Sequence, residues 1–552
     1  MKNIKFCIVL LITLLGFSCS LEETIYDLAT PESAIKSVSD VDNAIIGAYA
    51  SINAIDFFGR SAMWVTHSSA DDLSSTAGNE PGVLARRITL NSSHYHYIHL
   101  WWEIYEGISN SNGVLDYVEQ LDLPESFENK AVSEAKFLRG FFYFNLVNLY
   151  GGVPLILKSV DASQEFNVSR NSVDEVYTQI FLDLEDAIAY LPSRSAQPSG
   201  EKGRATKQSA QAYMVKACLH YANYLDLNGR SSESGQYYQK AIQYADEILN
   251  SGEYQLVSDY ATLWDVNQET VSAREILFAV INTRDAANPG NQGEGGFMVQ
   301  FFNPNTITGV SGRPDGGGTS HYKVQPWFID RYLQGEYVGD YRVEKTFRFS
   351  WTNWRTGKNR TTWPNTPTEE WESQPYIKKY VDAGGLATFS NENDFYLIRL
   401  SDIYLMKAEA ENELNGPTAA AYTAFNKVRE RARLADGTSR ATPADLTPGL
   451  SKEDFRMKIF DERGLEFIGE YSRYFDLRRM RYKDNTRTML EYQFDEYLPG
   501  LPQGLPKWVD GAWTTGLTEA TNIAPYNIKY ELIPIPSTEI AINPNLVQNP
   551  GW

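Results

Sequence analysis

The stretch Glu134–Leu157, EAKFLRGFFYFNLVNLYGGVPLIL, constrains the fold more than any other part of the chain. Ala135, Leu138, Phe142, Leu146 and Leu149 recur at helical spacing on one face, and Phe137, Phe141 and Phe144 fill an adjoining face. A helix apolar over most of its circumference has to be enclosed by other elements. Gly151 and Gly152 supply the backbone freedom that ends a helix, and Pro154 cannot continue one. The prediction is a buried helix with a hard stop, followed by an extended segment.

The rest of the chain is large enough to enclose it. At 552 residues, roughly three quarters of the unfolded surface is buried on folding. The net charge of −20 argues against nucleic acid, whose phosphates need a basic face. It favours neutral or cationic ligands, with Arg86-Arg87 as a local exception.

Lys2 and Lys5 precede an apolar run, Phe6 to Phe17, too short to span a bilayer. A charged start with a short apolar centre reads as a secretory signal. The run ends at Gly16-Phe17-Ser18-Cys19, which resembles a lipoprotein signal cut before the cysteine, with lipid attached at Cys19. Glu22 and Glu23 then resemble an export signal to the cell surface. Cys7 lies in the signal, so Cys218 is left as a lone thiol on an apolar helix and there is no disulfide framework.

The predicted organisation is a signal peptide over 1–18, a tether over 19–39, a helical region over 40–281 and a second region over 282–552. Helices are predicted from Asp40 through Ile55, from about Trp101 to Leu121, and over Val173–Leu191, Thr206–Leu227 and Gln236–Asn250. Further helices are predicted over Tyr396–Leu414, Ala419–Leu434 and Lys452–Met480. Consecutive helices with Ala at tight crossings give a mostly α fold of stacked, tetratricopeptide-like hairpins. Residues 282–393 and 483–552 are rich in Gly, Asn and Pro and form the loop-rich, mixed part, while 394–482 is helical. Long loops on a rigid scaffold usually carry function.

Sequence signatures of hydrolases, zinc proteases, nucleotide binding or redox chemistry are lacking: there is no G-x-S-x-G, H-E-x-x-H, P-loop or C-x-x-C. No catalytic residue and no cofactor are expected. Asp71-Asp72 is the most suggestive carboxylate pair, but adjacent side chains point apart, so the two do not flank one bond. His94, His96 and His99 hold half of the chain's six histidines. They read as a metal site on a strand, a ligand-contacting loop or a packed aromatic segment; no Cys or carboxylate accompanies them, and no metal is expected.

Five stretches resemble the SusD/RagB family of outer-membrane nutrient-binding lipoproteins. They are the Glu134–Leu157 helix; Gly203-Arg-Ala-Thr206 with Ala210, Ala212, Tyr213 and Lys216; and Asp394–Ala410. Glu462-Arg463, Glu466, Glu470, Arg473 and Asp476-Leu-Arg478, then Leu532–Trp552, complete the set in the family's order. The charged residues Glu462, Arg463, Glu470 and Arg473, at i, i+3 and i+4 spacings, are expected to be structural ion pairs. The resemblance implies non-catalytic oligosaccharide binding and delivery to a SusC-like, TonB-dependent barrel transporter. Peptide capture, as in the RagB branch, is the alternative. It also implies aromatic platforms in the loop before Trp101 and in later loops: His94, Tyr95 and Tyr97, then Trp351, Trp354, Trp363 and Trp371.

Overall fold

A run of packed helices forms the body of the protein in this computed structural model. It describes residues 35–75, 80–85, 90–159, 167–284, 296–312, 317–385, 391–435, 437–519 and 525–552. The signal, Cys19, Glu22, Glu23, Arg86 and Arg87 lie outside the described residues.

The main helices are α1 (Val38–Ala50), α2 (Ser61–Ser68), α3 (Tyr95–Val118), α4 (Glu125–Tyr150), α5 (Val173–Tyr190), α6 (Lys207–Leu227) and α7 (Ser231–Asn250). After a long insertion come α8 (Leu400–Asn415), α9 (Ala419–Ala432), α10 (Lys452–Phe467) and α11 (Arg473–Arg479). Each of α3 to α8 packs on its successor, with α7 meeting α8 across the insertion, and α10 packs on α8. The fold is therefore mostly α, a stack of helical hairpins with a loop-rich second part. Among the described residues no helix is long and apolar enough to cross a membrane.

α4 is the predicted buried helix, and it starts nine residues earlier than the stretch singled out in the sequence. Phe137, Phe141, Phe142, Leu138, Leu146 and Leu149 are all fully buried, each worth about 1.5–3 kcal/mol of transfer free energy. Gly151, at φ +76°, ends the helix. Gly107 of α3 faces it: a Cβ there would lie 2.2 Å from the Phe142 ring, so only glycine permits this approach. Alanines 210, 212, 217 and 222 let α6 sit close to both neighbours.

Local signals misplace some boundaries. α1 is capped by Ser37, whose side chain accepts from Asp40 N–H, so Asp40 lies in the first turn and is not the cap. Residues Phe395–Arg399 form a strand, β9, which precedes α8 and pairs with β2 (Ile276–Val280); all five side chains are buried. The other strands are short. β1 (Leu73–Ser75) pairs with β3 (Tyr322–Val324), and β4 (Phe347–Arg348) with β8 (Tyr376–Ile377). β5 (Ser350–Thr352), β6 (Asn359–Thr362) and β7 (Glu370–Glu372) form a three-stranded sheet.

The buried charges join the insertion to the helical stack. Glu462 accepts from Arg342 and Arg429, and Glu466 from Arg342, Arg399 and Arg431. Arg463 reaches Asp402 at 2.6 Å and Asp476 at 2.8 Å, and Glu470 holds Lys379 and Arg399. Glu462, Arg463, Glu470 and Arg473 are thus in structural ion pairs, but with partners from distant segments and not with one another at helical spacing. Cys218 is buried, and burial pushes its thiol up to about 12.

Candidate ligand-binding site

The histidine-rich run is the beginning of α3, not a strand or a loop. His94 is the N-cap residue, and its Nδ1 accepts from His96 N–H at 3.4 Å. Winding the next residues into a helix places Tyr95, His99 and Trp102, at i, i+4 and i+7, on one face. The Tyr95 and His99 rings stack at 3.9 Å with 24° between planes, and Trp102 meets His99 edge-on at 5.0 Å. Tyr95 is 46% and Trp102 44% exposed, so the ladder presents aromatic surface to solvent.

Polar groups hold the ladder in place. Tyr95 Oη donates to Asp56 Oδ2 at 2.9 Å, and Trp102 Nε1 donates to Glu539 Oε1 at 2.7 Å. Burial pushes the Asp56 carboxyl up, but hydrogen bonds from Arg60, Ser61 and Tyr95 outweigh it and hold it below the usual range. Asp56 therefore stays ionised as the anchor for the tyrosine. Glu103, beside Trp102, is pushed up to about 7 by burial and then by Glu106 and Asp56. The Arg60 guanidinium lies 5.8 Å from the Tyr95 ring and 5.3 Å from Trp64.

The three histidines do not converge. His94 and His96 place Nε2 at 3.4 and 3.8 Å from Glu80, whereas His99 Nδ1 faces Asp56 at 3.7 Å. His96 is buried against Ser61, its Nδ1 2.8 Å from the hydroxyl; burial, reinforced by Arg60, lowers it to about 3. Among the described residues no group of three His, Cys, Asp or Glu side chains is arranged to hold a metal. Asp71 and Asp72 are both buried; Asp71 binds Arg473 through two hydrogen bonds, while Asp72 is pushed up to about 7 by burial and by Asp71.

Of the aromatic candidates, Tyr97, Trp351 and Trp363 are buried and offer no open ring face. Tyr97 packs edge-on against Trp552, and Trp351 against Tyr376. Trp351 and Trp363 lie in stretches that looked polar but turn inward, and Tyr97 lies on the buried face of α3. Tyr95, Trp354 and Trp371 are exposed, and His94 is half-buried. Trp354 donates weakly to the Asn305 carbonyl at 3.4 Å and lies 5.2 Å from the Arg355 guanidinium. Trp371 meets Trp513 edge-on at 5.7 Å. A chain of contacts links the two regions: Trp64 packs on His321, and the neighbouring Ser320 hydroxyl receives the Asn305 N–H beside the Trp354 contact. His99 and Trp102 were missed in the sequence. The 95, 99, 102 spacing was visible there, but only to a reading that started the helix at Tyr95.

A rigid helical stack presenting exposed aromatic surface at a helix start and on inserted loops defines a ligand-binding scaffold. The sequence model of the SusD family matches residues 274–552, and one described as starch-binding, associating with the outer membrane, matches residues 21–219. The chain belongs to the SusD family. SusD-like protein P2 of Formosa agariphila is 28% identical over 502 residues, covering 87% of this chain and 91% of the relative. A SusD-like protein of Bacteroides ovatus is 24% identical over 392 residues, 68% of this chain and 64% of the relative. A SusD homolog from Bacteroides thetaiotaomicron superposes with a TM-score of 0.77 at 22% identity, covering 95% of this chain and 98% of that one. A laminarin-binding SusD-like protein gives 0.67 at 24%, covering 94% and 100%. Surface glycan-binding protein A from Bacteroides fluxus gives 0.68 at 19%, covering 94% and 100%. These likenesses establish the fold.

Proposed function

We propose that the protein binds oligosaccharide at the cell surface without cleaving it, with Tyr95, His99 and Trp102 as the platform. The exposed, stacked ladder carries this reading. A sugar ring has an apolar C–H face that a flat ring covers, while its hydroxyls reach polar neighbours. Here Glu103 follows Trp102 directly, and the Arg60 guanidinium lies 5.8 Å from the Tyr95 ring. Two structural relatives named for laminarin and glycan binding support the same ligand class. Trp354 and Trp371 are proposed as further contacts.

In this reading, cleavage before Cys19 and lipidation there anchor the protein to the outer membrane, facing outward, and it delivers glycan to a SusC-like, TonB-dependent transporter. The tether, read from the sequence over 19–39 but ending where α1 begins at Val38, and the helical and loop-rich regions after it divide anchoring from binding. A glycan array followed by calorimetry tests the reading. Heat with neutral oligosaccharides supports it; heat with peptides alone favours peptide capture; shortening of the glycan by the purified protein ends the non-catalytic claim.

A further inference from the structure

Arg348, at the end of β4, carries an unanswered charge. The protein elsewhere meets its buried guanidinium groups with carboxylates: Arg342 with Asp340, Glu462 and Glu466, Arg399 with Glu275, Glu466 and Glu470, and Arg431 with Glu275 and Glu466. Arg348 has no such partner among the described residues, and its Nε is buried without a hydrogen bond. In a chain with a net charge of −20 a carboxylate was readily available. Arg348 is half-buried rather than enclosed, with its Nε cut off from water; an unpaired guanidinium partly withdrawn from water is destabilised, and burial pulls this one down to about 10.

Arg348 lines a cleft of about 500 Å³ together with Lys378, Arg440, Ser350 and Asn365. Lys378 is lowered by burial and then by Arg348 and Lys345, so the cations are close enough to repel. The acids of the cleft are already engaged. Glu344 faces Lys345 at 3.2 Å and Arg440 at 3.7 Å, and Asp340 is held by Arg342. The remaining charge is positive, from Arg348 and Lys378.

The rim supplies a second observation. Asn365 accepts from Trp513 Nε1 at 3.1 Å, and Trp513 meets the exposed Trp371. Glu370 and Glu372, on either side of Trp371, are drawn to Arg360, and Glu372 also to Lys323. An aromatic surface therefore adjoins the cationic cleft.

We propose that this cleft is a second binding site, which takes the carboxylate or sulfate ester of an acidic sugar, with Arg348 as its main ligand and Lys378 beside it. A guanidinium presents paired N–H donors that match two oxygens of either group. Trp371 and Trp513 then cover the sugar that bears it. The anion site stands on Arg348 and its cleft; its assignment to a sugar rests on the glycan reading above.

The test uses the full chain, titrated at low ionic strength with sodium sulfate, a uronic-acid trisaccharide and a neutral trisaccharide. The uronic-acid sugar should bind at least about tenfold more tightly than the neutral one, and added salt should weaken it. Arg348→Gln should lower that affinity at least about tenfold, as expected for loss of a charge-assisted pair. Melting gives an independent readout: sulfate should raise the Tm of the wild type and not of Arg348→Gln, which without anion should melt no lower than the wild type. Sulfate binding as tightly as the trisaccharide, with no effect of Trp371→Ala, would keep the anion site and overturn the sugar. Absence of any anion response, or an unchanged response in folded Arg348→Gln, would overturn the site. Loss of neutral-glycan binding with the anion response intact would sink the aromatic-ladder reading instead.

Discussion

Arg473 of α11 grips both carboxylate oxygens of Asp71, at 2.7 and 2.8 Å, across 402 positions of sequence. The guanidinium also lies 3.9 Å from the Phe460 ring. Asp71 lies two residues before β1, so this contact fixes the segment after α2 to the charged helices near the C-terminus. Tyr95 meets the residues just before α2 through Asp56 and Arg60, and the buried His96 meets α2 itself through Ser61 and Trp64.

Removing one partner of a buried pair leaves the other charge unsatisfied. Arg473→Leu is therefore expected to cost about 3–5 kcal/mol in urea unfolding. A loss below about 1 kcal/mol, the range of a surface pair, would show that the contact does not hold the two segments together.

Asp72 gives a pH dependence of defined sign. Its folded carboxyl is raised to about 7 from the usual 3.8 of an aspartate, so between those values the folded state holds a proton that the unfolded state has released. Its contribution to stability falls as pH rises through that window. Asp72→Asn removes this contribution. The Tm of the variant minus that of the wild type should become more positive from pH 5 to pH 8; a flat or falling difference contradicts the assignment.

Gly107→Ala tests the close approach of α3 and α4. The added Cβ would lie 2.2 Å from Phe142, and overpacking of this kind costs about 1–3 kcal/mol. Phe142→Leu in the same chain should recover part of the loss, so the double mutant should be less destabilised than the sum of the singles. Additive effects would place the strain elsewhere.

Cys19→Ala tests the anchor read from the sequence. Whole cells should lose protease-accessible protein, with precursor retained or protein released. An undiminished surface pool would rule out lipid attachment at Cys19.

Much of the scaffold was legible because it is local. The α4 pattern, the Gly151 stop and the Thr206 and Leu191 boundaries all follow from periodicity and end signals within one segment. β9 was not, because a short apolar run such as Phe395–Ile398 has no period that separates a strand from a helix. The ion pairs of Glu462 and Arg473 were legible as structural, but their partners, Arg342, Arg429 and Asp71, come from segments brought together only by the fold. Burial of Trp351 and Trp363 beside exposed Trp354 and Trp371 was equally hidden, since it depends on which way each loop turns. The orphaned Arg348 leaves no mark in the sequence, because its peculiarity is the partner it lacks.

The central claim is that stacked rings on α3 bind sugar. Calorimetry of the wild type, Tyr95→Ala, Trp102→Ala and Trp351→Ala with a neutral oligosaccharide from the glycan array tests it most directly. Loss of an aromatic anchor typically costs 2 kcal/mol or more, roughly thirtyfold in affinity. The prediction is losses of that order for Tyr95→Ala and Trp102→Ala, with the buried Trp351→Ala changing affinity little while lowering Tm. Unchanged affinity in both ladder variants, with their fold intact, would contradict the account.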